Sequence, residues 1–159
     1  MSTQLIEKEI RCVLIPMREA WILLPNAVVA EVLNVPPYLP LKNTPTWLIG
    51  DFNWREQVVP LVQLDTILGV PIEGNGIGDQ SKVIILNSIS GNANLPYIAI
   101  VSQQIPRLIK VSETNLKNIP NPIKGEYITK WVRVNDNMAL LPDLEKLERT
   151  VYKTYVGKK

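Results

Sequence analysis

Runs of Val, Ile and Leu only a few residues long, each broken by Pro, Gly, Asn or Asp, recur through most of this chain. A run of that length is too short for a helix core and long enough to cross a sheet, so about ten of them predict many short strands and a mainly β fold. Ile10 to Ile15 and Ala20 to Leu24 flank a charged turn and read as a hairpin, followed closely by Val28 to Leu33. Val35-Pro36-Pro37-Tyr38-Leu39-Pro40 then interrupts the ladder, because proline donates no N–H and fixes φ. Leu48 to Asn53 and Gln57 to Val62 form the next pair, with Trp54-Arg55-Glu56 between them, and Leu64 to Leu68 forms a helical turn or two that ends on Gly69.

Glu73 to Ser81 has three glycines and little to bury, and reads as a flexible connection between two lobes. Lys82 to Asn87, Tyr97 to Ser102, Leu108 to Val111, Tyr127 to Val134 and Met138 to Leu141 supply the second half, with Ser112 to Lys124 turn-like. The long helix comes last. Pro142 suits its first turn, and Leu144, Leu147, Val151 and Tyr155 recur at spacings of three and four, giving one apolar face to pack on the sheets.

Function classes are limited by what the composition lacks. The 159 residues contain no histidine, which removes His-based metal sites and nucleophile–His pairs, and the single Cys12 cannot form an internal disulfide. Cys12 reads as a small hydrophobe in a strand. No GxGxxG, phosphate loop or GxSxG is present; Gly74-Asn75-Gly76-Ile77-Gly78 precedes a strand and not a helix, so it is a linker. Glu31, Asp51 and Asp65 are carboxylates whose spacing gives no sign that they converge into an acid–base pair. No cofactor and no catalytic residue is expected. The net charge of +2 implies no polyanion partner, and neither a signal peptide nor a membrane-spanning run is legible, so the expected setting is cytoplasmic.

The segment from Asn43 to Gly69 is the most informative. Thr44-Pro45 precedes an apolar strand, Gly50 lies within it, Asn53-Trp54-Arg55 marks its tip, and Val58-Val59-Pro60-Leu61-Val62 leads into a short helix. This order resembles the signature of the CheW-like domain: a TP loop, a Gly-containing strand, an N-L-R-G turn, a V-P-[VI]-V-D-L strand end and a helix. Upstream, Ala27 to Val32 is similar to the family's V-x-E-[VI] strand. Lys82 to Leu86, Ile98 to Val101 and Met138 to Leu147 are similar to its later strands and closing helix.

The resemblance implies two five-stranded SH3-like β-barrel lobes with a C-terminal α-helix. It places a single domain over 10–151, lobe 1 over about 20–72, lobe 2 over about 82–141 with the N-terminal strand shared, and a solvated basic tail over 152–159. It also implies a non-enzymatic adaptor that joins chemoreceptor cytoplasmic tips to the regulatory domain of a CheA-type histidine kinase, with no nucleic acid and no membrane insertion. The seam between the lobes would accept a receptor helix.

Carried over by position, Val29, Glu31 and Arg55 are partner-binding candidates, and Trp54 at the turn, with Glu56 and Gln103 where the sequence departs from the family pattern, completes the candidate set. Three of them have a structural alternative: Val29 as core, Glu31 as the outward member of a strand alternation, and Arg55 as a solvated tip or a salt bridge fixing the turn. Trp54 is expected as an exposed anchor beside the turn and Trp47 as core, while Gly50 is expected to mark a close backbone approach. Three positions depart from the family pattern. Glu56 replaces the turn glycine, Gln63 the aspartate before the helix leucine, and Gln103 an aspartate after the second-lobe strand. Glu56 is expected to alter the turn backbone and to pair with Arg55. The departures suggest a divergent member serving a pilus-linked system of the ChpC or PilI type. A small nucleic-acid-binding barrel, drawing on four tryptophans and 17 basic residues, and a small-molecule or peptide sensor using the interlobe cleft are the competing readings.

Overall fold

The computed structural model of the chain describes residues 8–120 and 125–158. The start of the segment read for a signal peptide, the end of the turn-like stretch at Ser112 to Lys124, and Lys159 lie outside the described residues. Strands β1 (Ile10–Pro16) and β2 (Trp21–Pro25) form the expected hairpin, with Pro16 paired to Trp21. They are followed by β3 (Val29–Asn34), the two-residue β4 (Leu39–Pro40), β5 (Leu48–Trp54), β6 (Gln57–Val62) and helix α1 (Leu64–Ile67). Gly69 has φ +82° just beyond α1, the left-handed helix end expected of it. The second half contains β7 (Lys82–Asn87), β8 (Tyr97–Ser102), β9 (Arg107–Val111), β10 (Leu116–Ile119), β11 (Ile128–Val134), β12 (Asn137–Pro142) and α2 (Leu144–Tyr155). β10 lies in the stretch read as a turn; its Lys117 and Asn118 gave no apolar run to detect.

The strands form two sheets, each with six strands in place of the expected five: β10-β11-β12-β2-β1-β9 and β3-β7-β8-β6-β5-β4. The lobes also divide elsewhere than at Glu73 to Ser81. The β1–β2 hairpin joins the C-terminal strands through a parallel pairing of β2 with β12, and β7 and β8 join the first-half strands through β6–β8 and β3–β7. The glycine-rich stretch is therefore a crossover within one lobe, and the chain passes between lobes at 25–29 and again at 102–107. Glycine content reports backbone freedom and low burial; a lobe boundary is set by where few contacts cross.

Three apolar clusters explain why the strands read as continuous apolar runs. Cys12, Leu14 and Leu23 face the core of the first sheet, Val59, Leu61, Val83, Ile85, Ala99 and Val101 that of the second, and the intervening Val13, Ile15, Ile22, Leu24, Val62, Ile84 and Ile100 meet between the sheets. A strand covered on both faces has no polar side to alternate with. Helix α2 completes the middle cluster with Leu147, Val151 and Tyr155. The chain's own middle cluster and α2 line the seam expected to receive a partner helix.

Pro142 closes β12 instead of opening α2; Asp143 is the N-cap, its carboxylate accepting from the Lys146 backbone N–H at 3.1 Å. Glu145 near the start and Lys153 near the end suit the helix dipole. The tail expected to be solvated is helical to Tyr155, which is only 6% exposed and donates its hydroxyl to Asp51 Oδ2 at 2.7 Å. Burial and that carboxylate push the Tyr155 hydroxyl well above the ordinary tyrosine range.

Candidate functional site

The β5–β6 hairpin closes on Arg55 and Glu56, because Trp54 already pairs with Gln57. Both turn residues have positive φ, 47° and 64°, the pattern of a type I′ turn, although neither is Gly or Asn. The expected backbone alteration at Glu56 does not occur; both residues adopt the left-handed conformation instead. Such a conformation costs a non-glycine residue about 1–2 kcal/mol, so neighbouring contacts must hold it.

Those contacts come from Trp54 and Glu31. Trp54 continues the inward alternation of Gly50 and Phe52, is 8% exposed, and packs among Phe52, Val59 and Val83, edge-on to Tyr97 with centroids 4.8 Å apart. It is core, not the exposed anchor expected beside the turn. Its indole N–H donates to Glu31 Oε2 at the rim of the lobe. Arg55 stacks its guanidinium over the Trp54 ring at 4.7 Å and lies 3.7 Å from Glu31 Oε1. Its ion-pair partner is Glu31 and not the adjacent Glu56, which remains exposed. The alternative foreseen for Arg55, a salt bridge at the turn, is therefore present. β3 and β5 are first and fifth in the sheet order, so the Glu31–Trp54 bond also shows the sheet curling until these strands meet.

A bulge in β3 separates the other two candidates. Val29 pairs with Leu86 and Glu31 with Ile85, so Ala30 is the extra residue. Leu86 faces the cluster between the sheets and Ile85 the lobe core. Val29 is half-buried toward the former, while Glu31 reaches Trp54 at the rim of the latter. Without the bulge the two would share one face. Gly50 sits where the sequence required it: a Cβ there would lie 2.3 Å from the Leu39 carbonyl oxygen.

Glu31, Trp54, Arg55 and Glu56 thus converge at one end of the second sheet, and Gln103 does not join them. Its side-chain amide donates to Asp65 Oδ2 at 3.3 Å and to the Gly76 carbonyl at 3.4 Å. Gln63, fully buried, donates to the Asn75 carbonyl at 2.8 Å. Two of the three departures from the family pattern therefore bind adjacent residues of the glycine-rich crossover, which is pinned and not merely a linker.

Among the described residues two carboxylates are buried, Asp65, weighed above only for acid–base chemistry, and Glu148, which sequence reasoning passed over. Asp65 is fully buried on α1 and accepts from the Arg18 backbone N–H at 3.3 Å; burial pushes its carboxyl up, partly offset by these hydrogen bonds. Glu148 on α2 accepts from Ser88 Oγ, from Ser90 Oγ at 2.9 Å, and from the Ile89 and Ser90 backbone N–H groups, fastening α2 to the β7–β8 loop. The Ser88-Ile89-Ser90 sequence was the available signal. Glu31, Asp51 and Asp65 each bond a different partner and form no acid–base pair. Trp131 is buried like Trp54, Trp21 and Trp47 are half-buried, and Arg107 covers the Trp21 ring, an arrangement unlike a stacking platform for bases.

Fold and site together define a two-lobed β scaffold whose distinctive polar groups brace turns, loops and the closing helix. The sequence model of the CheW-like domain matches residues 11–151, and the chain belongs to that family. It is 27% identical over 124 residues to the chemotaxis protein CheW of Treponema pallidum (strain Nichols), covering 75% of this chain and 70% of that protein. Among solved structures it is similar to the scaffolding protein TtCheW from Thermoanaerobacter tengcongensis, with a TM-score of 0.71 at 17% identity, covering 91% of this chain and 90% of the other. Among the described residues no helix is long and apolar enough to cross a membrane.

Proposed function

We propose that the protein is a non-enzymatic adaptor of a bacterial chemosensory system, joining receptor cytoplasmic tips to the regulatory domain of a CheA-type histidine kinase in the cytoplasm at receptor arrays. The observation that carries this reading is the family match over residues 11–151, which spans both sheets and most of α2. The contact surface we assign is the end of the second sheet, where the Arg55 side chain is 68% exposed yet positioned by Trp54 and Glu31. A pre-positioned arginine with a weak partner suits recognition of a carboxylate-bearing surface. The departures at Glu56, Gln63 and Gln103 support a divergent member with its own partner, and we assign it to a pilus-linked system.

The test is a binding titration of the purified protein against the regulatory domain of a cognate CheA-type kinase and against a receptor tip. Binding to one or both is expected. Absence of binding to either at tens of micromolar overturns the reading. Arg55→Glu should weaken binding at least tenfold while costing about 1–2 kcal/mol of stability, since it loses an exposed ion pair and the stacking over Trp54. Unchanged affinity would remove Arg55 from the interface.

A further inference from the structure

We propose that the outer surface of the first lobe, beside β9 and β10, is a docking site for an extended acidic polypeptide segment. The chain's small net charge conceals a division between the lobes. The segments of the first sheet, residues 8–25 and 107–142, carry nine lysines and arginines against five aspartates and glutamates, whereas residues 26–106 carry three against six. The surplus includes two cross-strand pairs. Arg11 on β1 stands opposite Lys110 on β9, and Lys117 on β10 stands opposite Arg133 on β11.

All four side chains lie on the outer face, because each alternates with neighbours that pack the lobe core: Cys12 beside Arg11, Val111 beside Lys110, Leu116 beside Lys117, and Val132 and Val134 on either side of Arg133. All are exposed, and among the described residues none forms an ion pair. Asn115, at the turn from β9 to β10, ties the two pairs to one region. Its side-chain amide donates to the Lys110 carbonyl at 2.8 Å, and its own carbonyl accepts from the Asn135 N–H at 3.1 Å. Like charges directly opposite destabilise a sheet, since their Cβ atoms are only about 4.5–5.5 Å apart. A lysine on an edge strand guards against unwanted pairing, which accounts for Lys110 and Lys117 singly; it gives no reason for an arginine opposite each on the neighbouring strand. Departures from the stable arrangement concentrate where a protein binds, and a carboxylate seated at each pair converts repulsion into attraction.

The surroundings favour a polypeptide over a nucleic acid. β10 is a terminal strand whose outer edge pairs with no other strand, so an extended chain can add backbone hydrogen bonds there. β9 is the other terminal strand, but its Lys110 carbonyl is already taken by Asn115, which directs the segment to β10. Trp131, two residues from Arg133 on the same face, is 1% exposed and cannot stack on a base. Alternate residues of an extended strand share a face, so an acid at every second position meets this surface. The lysine that deters a neutral strand at the edge of β10 attracts such a segment.

Fluorescence anisotropy of labelled ligands titrated with the full chain tests the site. One ten-residue peptide alternates glutamate and threonine, a second has the same composition in two blocks, a third carries lysine in place of glutamate, and a ten-nucleotide single-stranded DNA completes the set. The alternating acidic peptide should bind saturably and at least about threefold more tightly than the blocked one, with affinity falling at least tenfold between about 50 and 300 mM NaCl. The lysine peptide should not bind. Lys117→Glu should weaken the acidic peptide at least tenfold while raising the melting temperature by about 1–4 °C, because the new carboxylate faces Arg133. Arg11→Glu, opposite Lys110, should behave alike. Lys42→Glu, between β4 and β5 on the other lobe, makes the same change in net charge and should alter binding less than twofold. The alternating peptide binding no better than the blocked one, tighter binding of the DNA, unchanged affinity in Lys117→Glu or Arg11→Glu, an equal loss in Lys42→Glu, or a loss accompanied by a lower melting temperature would each overturn the site.

Discussion

Replacing Glu31 separates two contacts that meet on one carboxylate. Its Oε2 accepts the indole N–H of the buried Trp54, and its Oε1 lies 3.7 Å from Arg55. Glu31→Ala removes both and leaves a buried donor without an acceptor, which costs about 1–3 kcal/mol. The ion pair adds only about 0.2–1 kcal/mol, because the two side chains are 36% and 68% exposed. The expected loss is about 1.2–4 kcal/mol, and with 1 kcal/mol worth about 2–4 °C in a domain of this size the melting temperature falls by roughly 2–16 °C. Glu31→Gln keeps an oxygen for the indole and loses only the charge, so its loss is within about 1 kcal/mol. Urea denaturation followed by tryptophan fluorescence measures both variants. Equal losses in Ala and Gln would refute the assignment of the stability to the indole bond, and so would an unchanged midpoint in Glu31→Ala.

Three further outcomes follow from single contacts. Gly50→Ala places a Cβ 2.3 Å from the Leu39 oxygen and 2.9 Å from Tyr38 Cδ2; overpacking of about 1–3 kcal/mol outweighs the roughly 0.5–1 kcal/mol gained by losing glycine, so the urea midpoint falls. Tyr155→Phe, losing the Asp51 bond, should cost about 1 kcal/mol, and Tyr155→Ala about 3–5 kcal/mol by calorimetry, because the ring is core. The Asp65 carboxyl is raised in the folded state, so its contribution to stability is fully present below the unfolded carboxylate value of about 3.9 and is lost as pH rises through the folded value. Asp65→Asn should remove that decline from a series of melting temperatures measured from acid to neutral pH; an unaltered profile would show that another group carries it.

The strands themselves were legible, because a strand buried on both faces, such as Val83-Ile84-Ile85-Leu86, has no polar alternation to obscure it. Their distribution between lobes was not. It depends on two parallel pairings of two residues each, Leu61 with Ala99 and Val62 with Ile100, and Ala139 with Trp21 and Leu140 with Ile22, which join segments far apart in the chain. Trp54 was misread for a different reason. Its nearness to the turn suggested exposure, whereas its two-residue spacing from Phe52 already placed it on the inward face. Nothing in the pair Arg55-Glu56 announced two positive φ angles, since that signal is normally Gly or Asn. The β3 bulge, which turns Val29 and Glu31 to different faces, is likewise specified by pairing with β7 and not by local sequence.

These placements change what the arginine can do. Held over Trp54 and beside Glu31, Arg55 is oriented before any partner arrives, so little side-chain freedom remains to be lost on binding. At 3.7 Å and largely exposed, its bond to Glu31 is weak enough for an incoming carboxylate to compete, while Glu31 keeps its hydrogen bond to the indole when the arginine leaves. The structural role of Arg55 is therefore compatible with the recognition role proposed for it. Glu31 braces the lobe through Trp54, which stays in place, and the arginine above it is the part that can exchange partners.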